Sequence, residues 1–443
     1  VLDIRPWSVK QLKPDWSGTP LAGRQDLFEA LRDWQYEFIS DGLVSLQRGH
    51  PYRRAAVVTL GGGKTLAGLC LCALGEVSVV AASTYLHETW RSEAAKWNLP
   101  CPILTTYESA HKVADPDVLI VDESLSCKDP ETLRHQRLRK KAEKASIVVG
   151  FTGTPTGGKG PMDWRWLRVV EPGCVPATET AWRFLFGKDT KLVEVVPGRN
   201  AYVTSTWAVD QVAKFVEPYV YSADTSHLMS QLPEIQYTVI HCPQPRDWQM
   251  VAAGGATTAT ASKRVAQCRQ IADGFVLNDQ GQLLPVPHTP KLDAVCEWLE
   301  TVGEPVVLYA AWTGTIDLLK ERLKHYQPAV VRGDTSDPGV EIARFKNGAT
   351  SLMIANSRMS SGMNLQSVCR IVAFLSPSLA PVDFRQACGR VYRPGQKFGV
   401  QIIKFVCEGT LDERTWELIE GHTALDEKQI ASLLEESLRE KLP

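Results

Sequence analysis

The chain has 443 residues, 44% of them hydrophobic, which is enough for two or three domains, each with its own core. Its 49 Lys and Arg against 50 Asp and Glu leave a net charge of -1, so a polyanion would have to be held by local basic patches. Eleven cysteines without a C-x-x-C pair predict reduced thiols and no zinc, and no apolar run reaches the ~18 residues that a membrane span needs.

In chain order, the charged, Trp-containing start lacks the pattern of a signal peptide, so a cytosolic location is expected, and the numbering opens at Val1 without an initiator methionine. The run 54–60 reads as a strand that ends in Gly61-Gly62-Gly63 and is followed by an apolar helix over 66–74. Further strands are predicted at 77–82, 118–121 and 147–151, with helices at 87–97 and 131–144 between them. This alternation predicts a parallel sheet covered on both faces. A second alternating set has strands at 306–310, 329–332, 352–355, 371–375 and 400–405. Between the two sets, the Trp-rich and turn-rich stretch fits neither. The expected division is therefore 1–160 as a first lobe, 161–287 as a partly helical insertion bridging the lobes, and 288–443 as a second lobe with a C-terminal helix.

The chemistry starts at the glycines. Gly61, Gly62 and Gly63 let backbone N–H groups turn toward phosphate oxygens without a Cβ clash, at the positive end of the helix that follows. Lys64 is placed to neutralise β- and γ-phosphates and Thr65 to hold Mg²⁺, although Val58 stands where the strict eight-residue phosphate-loop pattern has a glycine. Fifty-eight residues after Lys64, an apolar strand ends in Asp122-Glu123. Asp122 would hold the metal shell and Glu123 orient or deprotonate the attacking water. Arg390 and Arg393 lie three apart and would share a face of a helix, offering guanidinium groups from the second lobe to a transferring phosphoryl group.

Taken together, these segments resemble the superfamily-two helicases, specifically their Swi/Snf-type DNA translocase branch, from Leu31 to about Glu413. The resemblance implies two RecA-like lobes of α/β class with ATP and Mg²⁺ between them. Leu31-Arg32-Asp33-Trp34-Gln35 is similar to the branch's adenine-reading segment, so Gln35 would contact the base. The stretch from Thr84 to Trp97, with Trp90, Glu93 and Trp97, and the Thr105-Thr106-Tyr107-Glu108 run resemble its DNA-contacting segments. Thr152-Gly153-Thr154-Pro155 resembles the coupling motif, and Pro290-Lys291-Leu292 the start of the second lobe. Gly362, Asn364 and Leu365 match its G-x-N-L segment. Gln386 and the run from Gly389 to Gln396 match its closing motif, and Gly409-Thr410-Leu411-Asp412-Glu413 also has the family's form. Gly362 is thereby expected near the nucleotide and Gln386 in the catalytic set. Leu125 stands where the family carries a histidine, which points to altered coupling, and no chromatin-reading, nuclease or zinc element is recognisable. That compact build looks like a phage or bacterial motor.

Two further features stay open between function and structure. Arg134, Arg137, Lys141 and Lys144 fall on one helical arc and would either track a phosphate backbone or form a solvated basic face. Trp312, at the end of a predicted strand, would either touch DNA or fill the core. The expectation is an ATP-dependent motor, monomeric or weakly associating, that translocates on duplex or branched DNA. A strand-separating DNA or RNA helicase is the nearest rival, and an ATP-gated DNA clamp without productive hydrolysis is a second.

Overall fold

The computed structural model describes residues 14–59, 61–156, 160–196, 199–204, 206–223, 232–252, 261–278, 280–359, 363–421 and 427–440. The chain divides into two compact units, Val1–Ser226 and His227–Pro443.

The first unit is built on a six-stranded sheet. Its strands are β1 (Tyr52–Val57), β2 (Ser78–Ala81), β3 (Ile103–Thr105), β4 (Val118–Val121) and β5 (Ile147–Thr152). A separate antiparallel hairpin, β6 (Lys191–Val196) and β7 (Arg199–Val203), precedes β8 (Val220–Ser222), which completes the sheet in the order β3-β2-β4-β5-β1-β8. Every pairing in the sheet is parallel. All its strands therefore point their carboxyl ends to one edge. The sheet carries apolar clusters on both faces, which is why β4 reads as an unbroken Val-Leu-Ile-Val run with all four residues buried.

The second unit repeats the plan. It contains β9 (Ile235–Cys242), a small hairpin of β10 (Phe275–Leu277) and β11 (Leu283–Pro285), and then β12 (Val306–Ala310), β13 (Ala329–Val331), β14 (Leu352–Asn356), β15 (Ile371–Phe374) and β16 (Val400–Cys407). The second sheet runs β13-β14-β12-β15-β16-β9, again wholly parallel, between two apolar clusters. The fold is thus two RecA-like α/β lobes.

The expected bridging insertion over 161–287 is not a third body. Its first part ends in β8, which joins the first sheet beside β1, and its second part supplies β9, which extends the second sheet along the whole of β16. Both are edge strands. β8 has three residues and β9 leaves residues 236–239 exposed, so neither carries the apolar run that marks a central strand. Among the described residues, no helix is long and apolar enough to cross a membrane.

Candidate active site

Because the first sheet is parallel, the loops after β1, β2, β3, β4 and β5 all open on one edge. That edge collects the glycine loop 61–63, Thr84, Thr105 and Thr106, Asp122 and Glu123, and Thr152 to Thr154. β1 and β4 are separated only by β5, so their ends lie roughly 10 Å apart by ordinary strand spacing.

The glycine loop is held from one side. Gly61 and Gly63 take left-handed φ values of 76° and 92°, open to glycine at no steric cost. Each carbonyl of the three glycines accepts a side-chain hydrogen bond from the start of the helix Asp33–Gln47 and the residue before it. Arg32 Nη1 donates to Gly61 O at 2.9 Å, Trp34 Nε1 to Gly62 O at 3.0 Å, and Gln35 Nε2 to Gly63 O at 2.8 Å. In a trans peptide the N–H points away from the C=O, so this brace aims the N–H groups of Gly63 and Lys64 to the opposite side. There they meet the amino end of the helix Lys64–Cys72, a polarity suited to phosphate oxygens. A side chain at Gly63 would place its Cβ 2.6 Å from Gln35 Nε2. Lys64 Nζ donates to Val58 O at 3.1 Å, so the residue that departs from the strict loop pattern contributes its backbone.

Gln35, the residue that the resemblance assigns to the base, is tied into the loop assembly. It is buried, and both polar ends are engaged within the loop assembly: Oε1 accepts from Arg32 N at 2.8 Å while Nε2 donates to Gly63. Arg32 and Trp34 were not singled out by the sequence pattern. Only their partners in the folded chain reveal the brace.

Asp122 is buried at the end of β4. Its Oδ2 accepts from Trp90 Nε1 at 3.0 Å, its Oδ1 from the amide of Glu123 at 3.0 Å, and its backbone carbonyl from the Tyr107 hydroxyl at 2.7 Å. Burial, and then the neighbouring Glu123 charge, push its carboxyl up to about 6, against the pull of Lys64. Glu123 is half-buried in a left-handed conformation, φ 47° and ψ 50°, which turns the chain sharply off the strand. Ser124 Oγ then donates to Phe151 O at 3.0 Å, tying the turn to β5 one residue before Thr152. Leu125 packs into the apolar cluster below the sheet. The polar tie at this turn is therefore Ser124, another residue the sequence did not flag.

The remaining residues of this edge are locally bonded. Thr152 Oγ1 donates to Thr154 O and accepts from Thr154 N, closing a tight loop. Thr105 is buried at the end of β3, and its carbonyl accepts from Ala82 N. Thr106 Oγ1 accepts from Ser109 N, and Thr84 is exposed in a short 3₁₀ turn. Trp90, read as part of a DNA-contacting segment, is fully buried; Trp97 donates to Glu93 on its own helix. The basic arc is committed to the loop 108–115: Arg134 pairs with Glu108 at 2.5 Å, Arg137 bonds Glu108 O, and Lys141 and Lys144 both pair with Asp115.

In the second unit, the helix Pro381–Cys388 carries a half-buried Gln386 in its last turn and ends before the two arginines. Arg390 and Arg393 are therefore not on a helix face. The chain tightens through turn bonds from Arg390 N to Ala387 O and Val391 N to Cys388 O. Pro394 disfavours helix at Arg393, and Gly395 takes φ 98°. The turn is stitched to the G-x-N-L segment: Arg393 Nη1 donates to Asn364 Oδ1, Leu365 N to Arg390 O, and Gln396 Nε2 to Cys369 O. Burial, with the Arg390 charge beside it, pushes the Arg393 guanidinium down to about 10, so it stays charged at neutral pH. Gly362 lies outside the described residues. Trp312 is half-buried as the residue leading into the helix Thr313–Arg322, edge-on to Phe275 and beneath the Arg269 guanidinium at 5.5 Å.

Residues 290–395 match the helicase conserved C-terminal domain, a stretch that contains Trp312, Asn364, Gln386, Arg390 and Arg393. The second unit thus carries a helicase C-terminal domain, and the chain is similar to Swi/Snf-type helicases over most of its length. It is 24% identical over 351 residues to the chromodomain-helicase-DNA-binding protein 1-like of Danio rerio, a match covering 70% of this chain and 32% of the relative. It is 23% identical over 403 residues to the SWI/SNF-related matrix-associated actin-dependent regulator of chromatin subfamily A-like protein 1 of Xenopus tropicalis, covering 82% of this chain and 41% of the relative. The chain thus spans about a third to two fifths of the length of these relatives. Among solved structures it is similar to the Sulfolobus solfataricus SWI2/SNF2 ATPase core in complex with dsDNA, at 19% identity and a TM-score of 0.38, covering 93% of this chain and 97% of that one.

The residues on the first sheet's edge fit a nucleoside triphosphate with a divalent cation. The braced loop offers amides and Lys64 to an anion, and Asp122 is a buried carboxylate held by neutral donors that leave its charge unspent. Mg²⁺ is commonly held by one or two protein oxygens plus phosphate and water, which matches Thr65 and Asp122.

Proposed function

We propose that this helicase core is an ATP-driven DNA motor that moves on duplex or branched DNA, with fork or junction remodelling as its task. The observation that carries the reading is the placement of Asp122 and Glu123 on the same sheet edge as the braced glycine loop. When bound, ATP with Mg²⁺ supplies the phosphoryl group whose transfer to water releases the energy for movement. Gly63 and Lys64 amides and the Lys64 ammonium would hold the phosphates, while Thr65 and Asp122 would hold the cation. Glu123 orients the attacking water and takes its proton. Arg390 and Arg393 of the second unit supply positive charge for turnover, an effect worth about 10³–10⁵ in rate where such a residue is essential. Two relatives named for DNA-binding helicase and SWI/SNF roles support DNA as the track.

The test is ATP turnover titrated with single-stranded DNA, duplex, forked and four-way DNA, and RNA. Duplex and branched DNA should stimulate most, and a flat response would overturn the motor reading. A strand-displacement assay run beside a triplex-displacement assay separates translocation on duplex from strand separation. If Lys64→Ala left ATP consumption unchanged, the site assignment itself would fail.

A further inference from the structure

Asp122 is gripped by two aromatic side chains from outside the glycine loop and the carboxylate pair. Trp90 comes from the helix His87–Lys96 and Tyr107 from the turn after β3. Their bonds act on different parts of the residue. Trp90 donates to the carboxylate itself, while the Tyr107 hydroxyl donates to the carbonyl of the peptide that leads into Glu123. The first fixes the rotamer of Asp122, and the second fixes the plane from which Glu123 enters its left-handed turn.

Neither ring is free to turn away. The Trp90 indole is fully buried against Gly68 of the phosphate-loop helix, where an added Cβ would come within 2.6 Å of its ring. Tyr107 is buried with the Arg134 guanidinium 5.4 Å from its ring centre. Both donors are neutral, so they orient Asp122 without neutralising it. A phenyl ring would fill the place of Tyr107 equally well, whereas at Trp90 it would leave part of the indole's space empty. At Tyr107 the polar atom is therefore the informative part.

We propose that Trp90 and Tyr107 are positioning residues for hydrolysis, Trp90 setting the Asp122 carboxylate for the cation and Tyr107 setting Glu123 for the water. This rests on reading Asp122 and Glu123 as the hydrolytic pair. The segments that carry the two rings also carry Thr84 and Thr106 on the same edge of the sheet. A nucleic acid seated on Thr106 would touch the residue next to Tyr107, whose hydroxyl holds the peptide leading into Glu123.

The test compares Trp90→Phe, Tyr107→Phe and Gly68→Ala with the unaltered chain and with Lys64→Ala. Three quantities are read: kcat and KM for ATP with and without duplex DNA, the Mg²⁺ dependence of fluorescent ADP binding without turnover, and the thermal midpoint. Trp90→Phe should lower kcat by about 10–100-fold, as loss of an outer-shell partner does, and raise the Mg²⁺ concentration for half-maximal ADP binding several-fold. Gly68→Ala, which pushes the indole, should follow it. Tyr107→Phe should lower kcat and the DNA stimulation ratio while leaving the Mg²⁺ dependence unchanged.

A purely structural role would move the thermal midpoint alone, and that result in both Trp90→Phe and Tyr107→Phe overturns the proposal. Should Trp90→Phe fail to fold, Tyr107→Phe, which loses one oxygen atom, decides. Lys64→Ala with unchanged turnover would instead remove the parent reading, so the two failures are distinguishable.

Discussion

Asp122 in the first unit and Asp273 with Asp412 in the second are buried acids, and they are held in opposite ways. In the second, Lys291 is wholly buried with its ammonium 2.7 Å from both Asp273 and Asp412, and it also donates to Leu375 O. Burial works against that ammonium, but the two carboxylates outweigh it and hold its pKa above the usual lysine value. In the first, the carboxylate of Asp122 accepts from an indole and a backbone amide, with the Lys64 charge acting from the phosphate loop. A carboxylate already paired with a protein cation is part of the architecture. One fixed by neutral donors keeps its charge for a cation arriving from solution.

The contrast can be broken or sharpened by substitution. The largest effect is expected at Glu123→Gln, which should slow ATP turnover by about 10²–10⁴-fold while nucleotide binding persists, as measured by steady-state kinetics and equilibrium binding. Next is Lys291→Met, which leaves two buried acids without their cation and should destabilise the second unit by about 3–5 kcal/mol in urea unfolding. Adding Asp412→Asn should recover part of that loss, and strict additivity would contradict the coupling.

Asp122→Asn should abolish turnover yet stabilise the first unit at pH 7 by about 1–3 kcal/mol. The sign follows from proton binding. The folded carboxyl holds its proton to about pH 6, the unfolded one only to near 3.8, so stability from this group is lost as pH rises through that window. The gain from Asn should therefore shrink as pH falls from about 6 to about 4 and be absent below that, and a pH-independent gain would point to packing instead. The smallest effect should come from the loop brace: Trp34→Phe removes one bond to Gly62 and should cost about 1 kcal/mol, read as a several-fold rise in KM for ATP.

The strands at 118–121, 147–151 and 306–310 were legible because sheets covered on both faces demand unbroken apolar runs. Glycine loop, lysine and acidic pair were legible because short spacing fixes their local chemistry. The unit boundary was not, since β8 and β9 are edge strands whose partners are chosen in space. Nor was the end of the helix at Cys388, where the arginine spacing suits a helix but the chain leaves it at Gly389. The partners of Trp34, Trp90 and Tyr107 were hidden for a related reason. An aromatic at a helical or strand position reads as core, and what its single polar atom touches depends on segments 15 to 32 residues away.

The same bonds differ in when they can form as the chain is made. The brace joins residues 28 or 29 apart, so the glycine loop can be assembled soon after it is synthesised. Lys291 and Asp412 are 121 residues apart. At roughly 5–20 residues per second, Lys291 spends about 6–24 s with Asp273 as its one available acid of the pair. The buried triad therefore closes only after Asp412 and the late strands around it have been made, whereas the brace needs no late segment.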